Sequence, residues 1–175
     1  MQDILIIIDM QNDFISGPLG SEEAASIVPN VVKKIEGFKG GVMFTRDTHH
    51  ENYLETQEGK NLPIVHCIKG TEGWELHPQI EKLRKCEPID KPTFGSIELG
   101  QILKSLDKEN KIRKIVLIGV CTDICVIANA MIIKSSLPDA EIIVDASCCA
   151  GSSRENHLTA LKAMELCQIK IENKV

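Results

Sequence analysis

Four short runs of uninterrupted apolar residues set the folding options of this chain: ILIIID (4 to 9), GVMFTR (41 to 46), KIVLIG (114 to 119) and EIIVDA (141 to 146). A strand with one wet face alternates apolar and polar residues, whereas a run apolar throughout is covered on both faces, as in a parallel sheet. CEPID (86 to 90) and QIKIE (168 to 172) are weaker runs of the same kind. Between the runs the period becomes helical. Val28, Val31, Val32 and Ile35 recur at i, i+3, i+4 and i+7, Pro29 suits a first helical turn, and Gly37, Gly40 and Gly41 close the segment. Related patterns cover 97 to 106, 124 to 133 and 158 to 166, each between two strand candidates. Such alternation implies right-handed crossovers and an α/β, doubly wound sheet with helices on both faces.

The 175 residues, unbroken by a linker or a shift in composition, are expected to form one domain over 1 to 175. A net charge of −5 with no basic run argues against nucleic acid or an anionic membrane as partner. The apolar stretch at 4 to 8, bounded by Asp3 and Asp9, is too short and too acidic for a signal or a span, so a cytoplasmic location is expected. There the seven cysteines (67, 86, 121, 125, 148, 149, 167) stay reduced, and no C-x-x-C pair suggests a zinc ribbon or a thioredoxin-type site. The polar segment from 47 to 77 is long for a connection, which marks it as functional, and its Trp74 is expected to pack down on something.

In a doubly wound sheet the ligand crevice lies beyond the carboxyl ends of the strands. Asp9 ends the first strand, Asp47 and His49 follow the second, Lys91 follows the third and GVCTDICV (119 to 126) leaves the fourth. If Thr122 caps the next helix, Cys125 falls in its first turn, where free N–H groups favour a thiolate. Lys91 would lower the thiol further and Asp9 could receive its proton. The plain alternatives are a buried small hydrophobe for Cys125, a turn carboxylate for Asp9 and a surface lysine for Lys91; a redox pair at 121 and 125 is a further one. Asp47 and His49, at i and i+2, can face one side, and with His66 they would make an open divalent site. Otherwise these histidines cap loop carbonyls.

DMQNDF (9 to 14), TRDTHH (45 to 50), VHCIKGTEGW (65 to 74), KPTFGS (91 to 96) and GVCTDICV together resemble the motif series of the isochorismatase-like cysteine hydrolases, which include nicotinamidases. The resemblance runs through nearly the whole chain. It implies a six-stranded parallel sheet of order 3-2-1-4-5-6, a catalytic triad of Cys125, Asp9 and Lys91, and a cis peptide between Val120 and Cys121 that aims the N–H groups of Cys121 and Cys125 at an oxyanion. It also implies a metal (zinc, manganese or iron) on Asp47, His49 and His66 that would hold a pyridine nitrogen, with His50 replacing His49 if the register differs by one. No organic cofactor is implied. Phe14 keeps a ring-contacting position; LPIVH (62 to 66) lacks the Trp-Pro pair of nicotinamidases, so Phe94 or Trp74 would supply the other face. Cys67, Cys86, Cys148, Cys149 and Cys167 are read as structural, His77 as a helix cap and His157 as exposed.

These readings lead to a cysteine-dependent amidohydrolase that releases ammonia from a small-molecule amide, nicotinamide-like or carbamoyl, through a thioester. A homo-oligomer is expected, as in relatives. The alternatives are an isochorismatase-type hydrolase, a metal-dependent hydrolase in which Cys125 is incidental, and a non-catalytic scaffold of the same fold.

Overall fold

The computed structural model describes residues 1–174. In chain order it contains β1 (Gln2–Ile8), α1 (Asn12–Ile15), α2 (Glu22–Gly37), β2 (Gly41–Asp47), α3 (Gln57–Asn61), α4 (Pro78–Glu81) and β3 (Ile89–Lys91). There follow α5 (Ile97–Glu109), β4 (Ile112–Val120), α6 (Ile127–Ser136), β5 (Glu141–Ala150), α7 (Arg154–Leu166) and β6 (Lys170–Glu172). The six strands form one sheet in the order β3-β2-β1-β4-β5-β6, and every pairing is parallel. No helix among the described residues is long and apolar enough to cross a membrane.

The continuous apolar runs explain this architecture. Along β1, Ile4, Ile6 and Ile8 enter one core with Leu99 and Leu103 of α5 and Ile133 of α6, while Leu5 and Ile7 enter another with Val28 and Val31 of α2. Both faces of the strand are thus dry, and each such side chain contributes about 1.5–3 kcal/mol on burial. Right-handed crossovers require the two cores: the chain moves one way across the sheet from β1 to β3 and the other way from β4 to β6, so the connecting helices fall on opposite faces.

Several local expectations shift. Pro29 lies inside α2, which starts earlier at Ser21, whose Oγ accepts the Ala24 N–H at 3.0 Å. The interior proline costs about 3 kcal/mol, and burial of Ala24, Ile27, Val28, Val31 and Ile35 offsets it. Instead of 86 to 90, β3 comprises Ile89–Lys91, and Cys86 and Cys167, read as structural, are exposed. The segment 47 to 77 is an ordered loop with a 3₁₀ turn at Tyr53–Glu55, followed by α3. His77 caps α4 by accepting the Gln79 N–H.

Two features bring the sheet's carboxyl end into shape. Gly119 has φ +120°, and a Cβ placed on it would lie 2.0 Å from the Ile8 carbonyl oxygen, so β1 and β4 approach there as bare backbone. The β4–β5 register jumps between Leu117, opposite Val144, and Gly119, opposite Cys149. The extra residues make a bulge of the kind that redirects chains at the rim of a site.

Candidate active site

Strand ends bring the predicted catalytic side chains together. Just past β1, Asp9 turns the chain at φ +49°, a left-handed conformation that aspartate tolerates better than most residues. It is fully buried, and its Oδ1 accepts the Thr45 hydroxyl at 2.6 Å. Lys91, the last residue of β3, is buried as well. Its Nζ stands 2.6 Å from Asp9 Oδ2, 3.3 Å from Asp47 Oδ1 and 3.5 Å from Cys125 Sγ, and it donates to the Thr93 carbonyl at 3.2 Å. Burial alone would discharge this amine, but the charges of Asp9, Cys125 and Asp47 outweigh it and raise its pKa.

Cys125 leaves β4 through a tight segment. The Val120–Cys121 peptide is cis, and residues Thr122–Val126 form a π-type turn before α6 begins. Such turns recur at functional sites. The N–H groups of Ile124 and Val126 both reach the Cys121 carbonyl, at 3.1 and 3.0 Å. Thr122 does not cap this turn with its side chain: its hydroxyl pairs with His157 Nδ1 at 2.8 Å. His157 is accordingly half-buried and bonded, contrary to its expected exposure. The preformed thiolate expected from a capped helix start also gives way. Burial, and then the Asp9 charge, push the Cys125 thiol well above its usual range, although Lys91 opposes them. Burial likewise raises Asp9 despite Lys91. A buried thiol thus stands beside a carboxylate of raised basicity.

Asp47, His49 and His66 converge on the same crevice, joined by Glu58 of α3, which the sequence reading missed. The four ligand atoms lie within 4.8 Å of one another. His49 Nε2 is 2.9 Å from Asp47 Oδ2 and 3.5 Å from Glu58 Oε1, and His66 Nε2 is 3.5 Å from Asp47 Oδ2. Metal–ligand bonds of about 2.0–2.2 Å place tetrahedral ligands roughly 3.4 Å apart, so the set fits one divalent ion. His66 Nδ1 lies 2.7 Å from the Ile64 carbonyl. A proton on Nδ1 would be donated there and leave Nε2 free as a ligand. His49 Nε2 is buried without an aligned hydrogen-bond partner among the described residues, which suits a nitrogen that donates its lone pair to a cation. Burial works against charge on His49, but Asp47 and Glu58 prevail and raise its pKa to about 9; a bound cation would replace that proton. Exposed His50 is not in the group.

A cavity of about 320 Å³ opens on these groups, bordered by Asp47, Glu58, His66, Cys121 and Cys125. Its apolar wall includes Phe14, Leu62 and Phe94, with the Phe14 and His66 rings 5.6 Å apart. Trp74, an expected ring contact, does not line it. Its Nε1 donates to the Thr48 hydroxyl at 2.8 Å and the Arg46 guanidinium lies 3.6 Å over its ring, so it fastens the long loop instead. A second unforeseen residue, Gln11, grips the backbone of Asp47, whose side chain borders the cavity.

Together the parallel sheet of order 3-2-1-4-5-6 and a buried Asp-Lys-Cys cluster at its carboxyl rim define a hydrolase of the doubly wound α/β class. The isochorismatase domain model matches residues 3–173, and the chain belongs to that family. It is 30% identical over 174 residues to the uncharacterised isochorismatase family protein PncA of Bacillus subtilis (strain 168), covering 92% of this chain and 93% of that one. Among solved structures it resembles the nicotinamidase/pyrazinamidase PncA of Bacillus subtilis, with a TM-score of 0.84 at 28% identity, covering 99% of this chain and 100% of that one. It also resembles the pyrazinamidase of Pyrococcus horikoshii in complex with zinc, with a TM-score of 0.79 at 28% identity, covering 98% of each chain.

Proposed function

We propose that this protein is a cysteine-dependent amidohydrolase that releases ammonia from a small amide, nicotinamide or pyrazinamide first among them. The observation that carries the reading is one buried amine, Lys91 Nζ, within 2.6 Å of Asp9 and 3.5 Å of Cys125 Sγ at the cavity. Asp9 takes the thiol proton as Sγ attacks the amide carbonyl, and the oxyanion forms against the N–H groups of Cys121 and Cys125. Collapse breaks the C–N bond, and Asp9 returns the proton to the leaving nitrogen, so ammonia departs and a thioester remains. Water, deprotonated by Asp9, then hydrolyses the thioester to the acid and restores the thiol. Lys91 keeps its charge throughout and holds Asp9 and Cys125 in register. A divalent ion held by Asp47, His49, Glu58 and His66 would supply Lewis acidity toward a ring nitrogen or other donor of the substrate.

The test is ammonia release from nicotinamide, pyrazinamide, an N-carbamoyl amino acid and a short aliphatic amide, with zinc or manganese and again with chelator. Turnover that disappears in Cys125→Ala supports the covalent route. Undiminished turnover in that variant would transfer the chemistry to metal-activated water.

A further inference from the structure

The turn that carries Cys125 is tied to a helix for which the reaction above has no use. Thr122 is completely buried, and its hydroxyl has one partner among the described residues, His157 Nδ1 of α7 at 2.8 Å. One residue on, the Asp123 carboxylate accepts the Ser152 N–H at 2.8 Å and the Ser152 hydroxyl at 2.5 Å. Gly151 allows this approach, since a Cβ there would lie 2.8 Å from Asp123 Oδ1 and 2.8 Å from the His157 Cβ. Gly151 and Ser152 also wall the cavity that holds Cys125. Residues 151 to 157 therefore form one brace along the outer side of the nucleophile turn.

We propose that His157 is a positioning residue: by holding the Thr122 hydroxyl it sets where Cys125 Sγ and the adjacent backbone N–H groups stand relative to a bound carbonyl. The proposal rests on the reading of Cys125 as nucleophile. Without the imidazole, a fully buried hydroxyl three residues from Sγ would lose its partner, and the turn would shift to satisfy it. Asp123 is already engaged by Ser152 and offers no replacement. Burial lowers the His157 pKa, with Arg154 adding to it and Asp123 opposing, so the ring stays neutral at physiological pH and offers Thr122 one donor and one acceptor nitrogen.

The experiment compares His157→Ala, His157→Asn, Thr122→Val and the Thr122→Val/His157→Ala double variant in the full chain. Two quantities are read: kcat and KM for amide turnover, and the rate of iodoacetamide labelling at Cys125, located by peptide mass spectrometry. A displaced nucleophile lowers kcat roughly 10- to 100-fold in His157→Ala, with KM within about threefold of wild type. Labelling slows in parallel. Asparagine, whose side-chain amide reaches the place of Nδ1, recovers most of both, and the double variant is no worse than either single one. Unchanged kcat and labelling in His157→Ala overturn the proposal, as does a loss that asparagine cannot recover. If the wild-type chain turns over no amide, the reaction reading fails, while the labelling rates still decide the role of His157.

Discussion

Gln11 clasps the backbone of Asp47 with both ends of its amide. Oε1 accepts the Asp47 N–H at 2.7 Å and Nε2 donates to the Asp47 carbonyl at 2.8 Å, while Nε2 also reaches the Trp74 carbonyl at 2.9 Å. A completely buried side chain thereby extends the pairing of β2 and ties a metal-site residue to the far end of the long loop. Gln11→Leu would strand one N–H and two carbonyls in a dry interior, at about 1–3 kcal/mol each. With 1 kcal/mol worth about 2–4 °C in a domain this size, a melting temperature lower by some 6 °C or more is expected, together with weaker zinc retention. A melting curve that overlays wild type would refute the clasp as a structural element.

Lys91 answers two carboxylates at once, and its removal leaves Asp9 an unpaired buried charge, while Asp47 keeps His49 at 2.9 Å. Lys91→Met should destabilise the chain by about 3–5 kcal/mol in urea titration and lower kcat/KM by about a thousandfold or more. Lys91→Arg should not restore activity, because a planar fork cannot take the place of a compact ammonium set among four partners. Recovery in the arginine variant would show that charge alone suffices.

The four-ligand cluster predicts stabilisation by zinc. At a hundredfold excess over Kd, binding adds about 2.7 kcal/mol, visible as a melting temperature several degrees higher that falls back on chelation. His66→Ala should abolish the shift, and Glu58→Gln should reduce it, with bound metal counted by elemental analysis. An undiminished shift in Glu58→Gln would remove that carboxylate from the ligand set.

Acid should loosen the carboxyl half of the sheet at a defined place. Burial raises the Asp145 pKa, but Lys34 at 2.6 Å, Asn173 at 3.0 Å and Ser147 at 2.7 Å overcome it and leave the net shift downward. A depressed native pKa gives stability that is complete above the unfolded value of about 3.9 and vanishes as pH falls through the native one. Asp145→Asn should therefore melt earlier than wild type at neutral pH, with the gap closing below about pH 4. A gap independent of pH would assign the effect to packing.

The sheet could be read from the chain because its central strands are buried on both faces, and Ile4 to Ile8 or Ile115 to Ile118 have no other stable home. The meeting of Asp9, Lys91 and Cys125 could be read because strand ends in this topology share one rim. Other features carry no periodic signal. Glu58 joins the cluster only because Thr56 caps a short helix that brings it near His49 and His66. Thr122 looks like a cap until the turn proves to be π-type and His157, 35 residues away, takes its hydroxyl. Trp74 suggests a substrate contact by its aromatic character, yet Arg46 and Thr48 already engage both its face and its edge.

The bare contact at Gly119 acts as a gauge. Ile8 and Gly119 stand opposite each other in the ladder, and the next residue on each strand is Asp9 on one side and Val120, leading to the nucleophile turn, on the other. The spacing between Asp9 and the turn that carries Cys125 is thus defined by two main chains touching, with no side chain between them to swell or relax. Alanine at this position would push the two strands apart and widen the gap between Asp9 and Cys125, so that distance is machined into the sheet rather than adjusted by the side chains it separates.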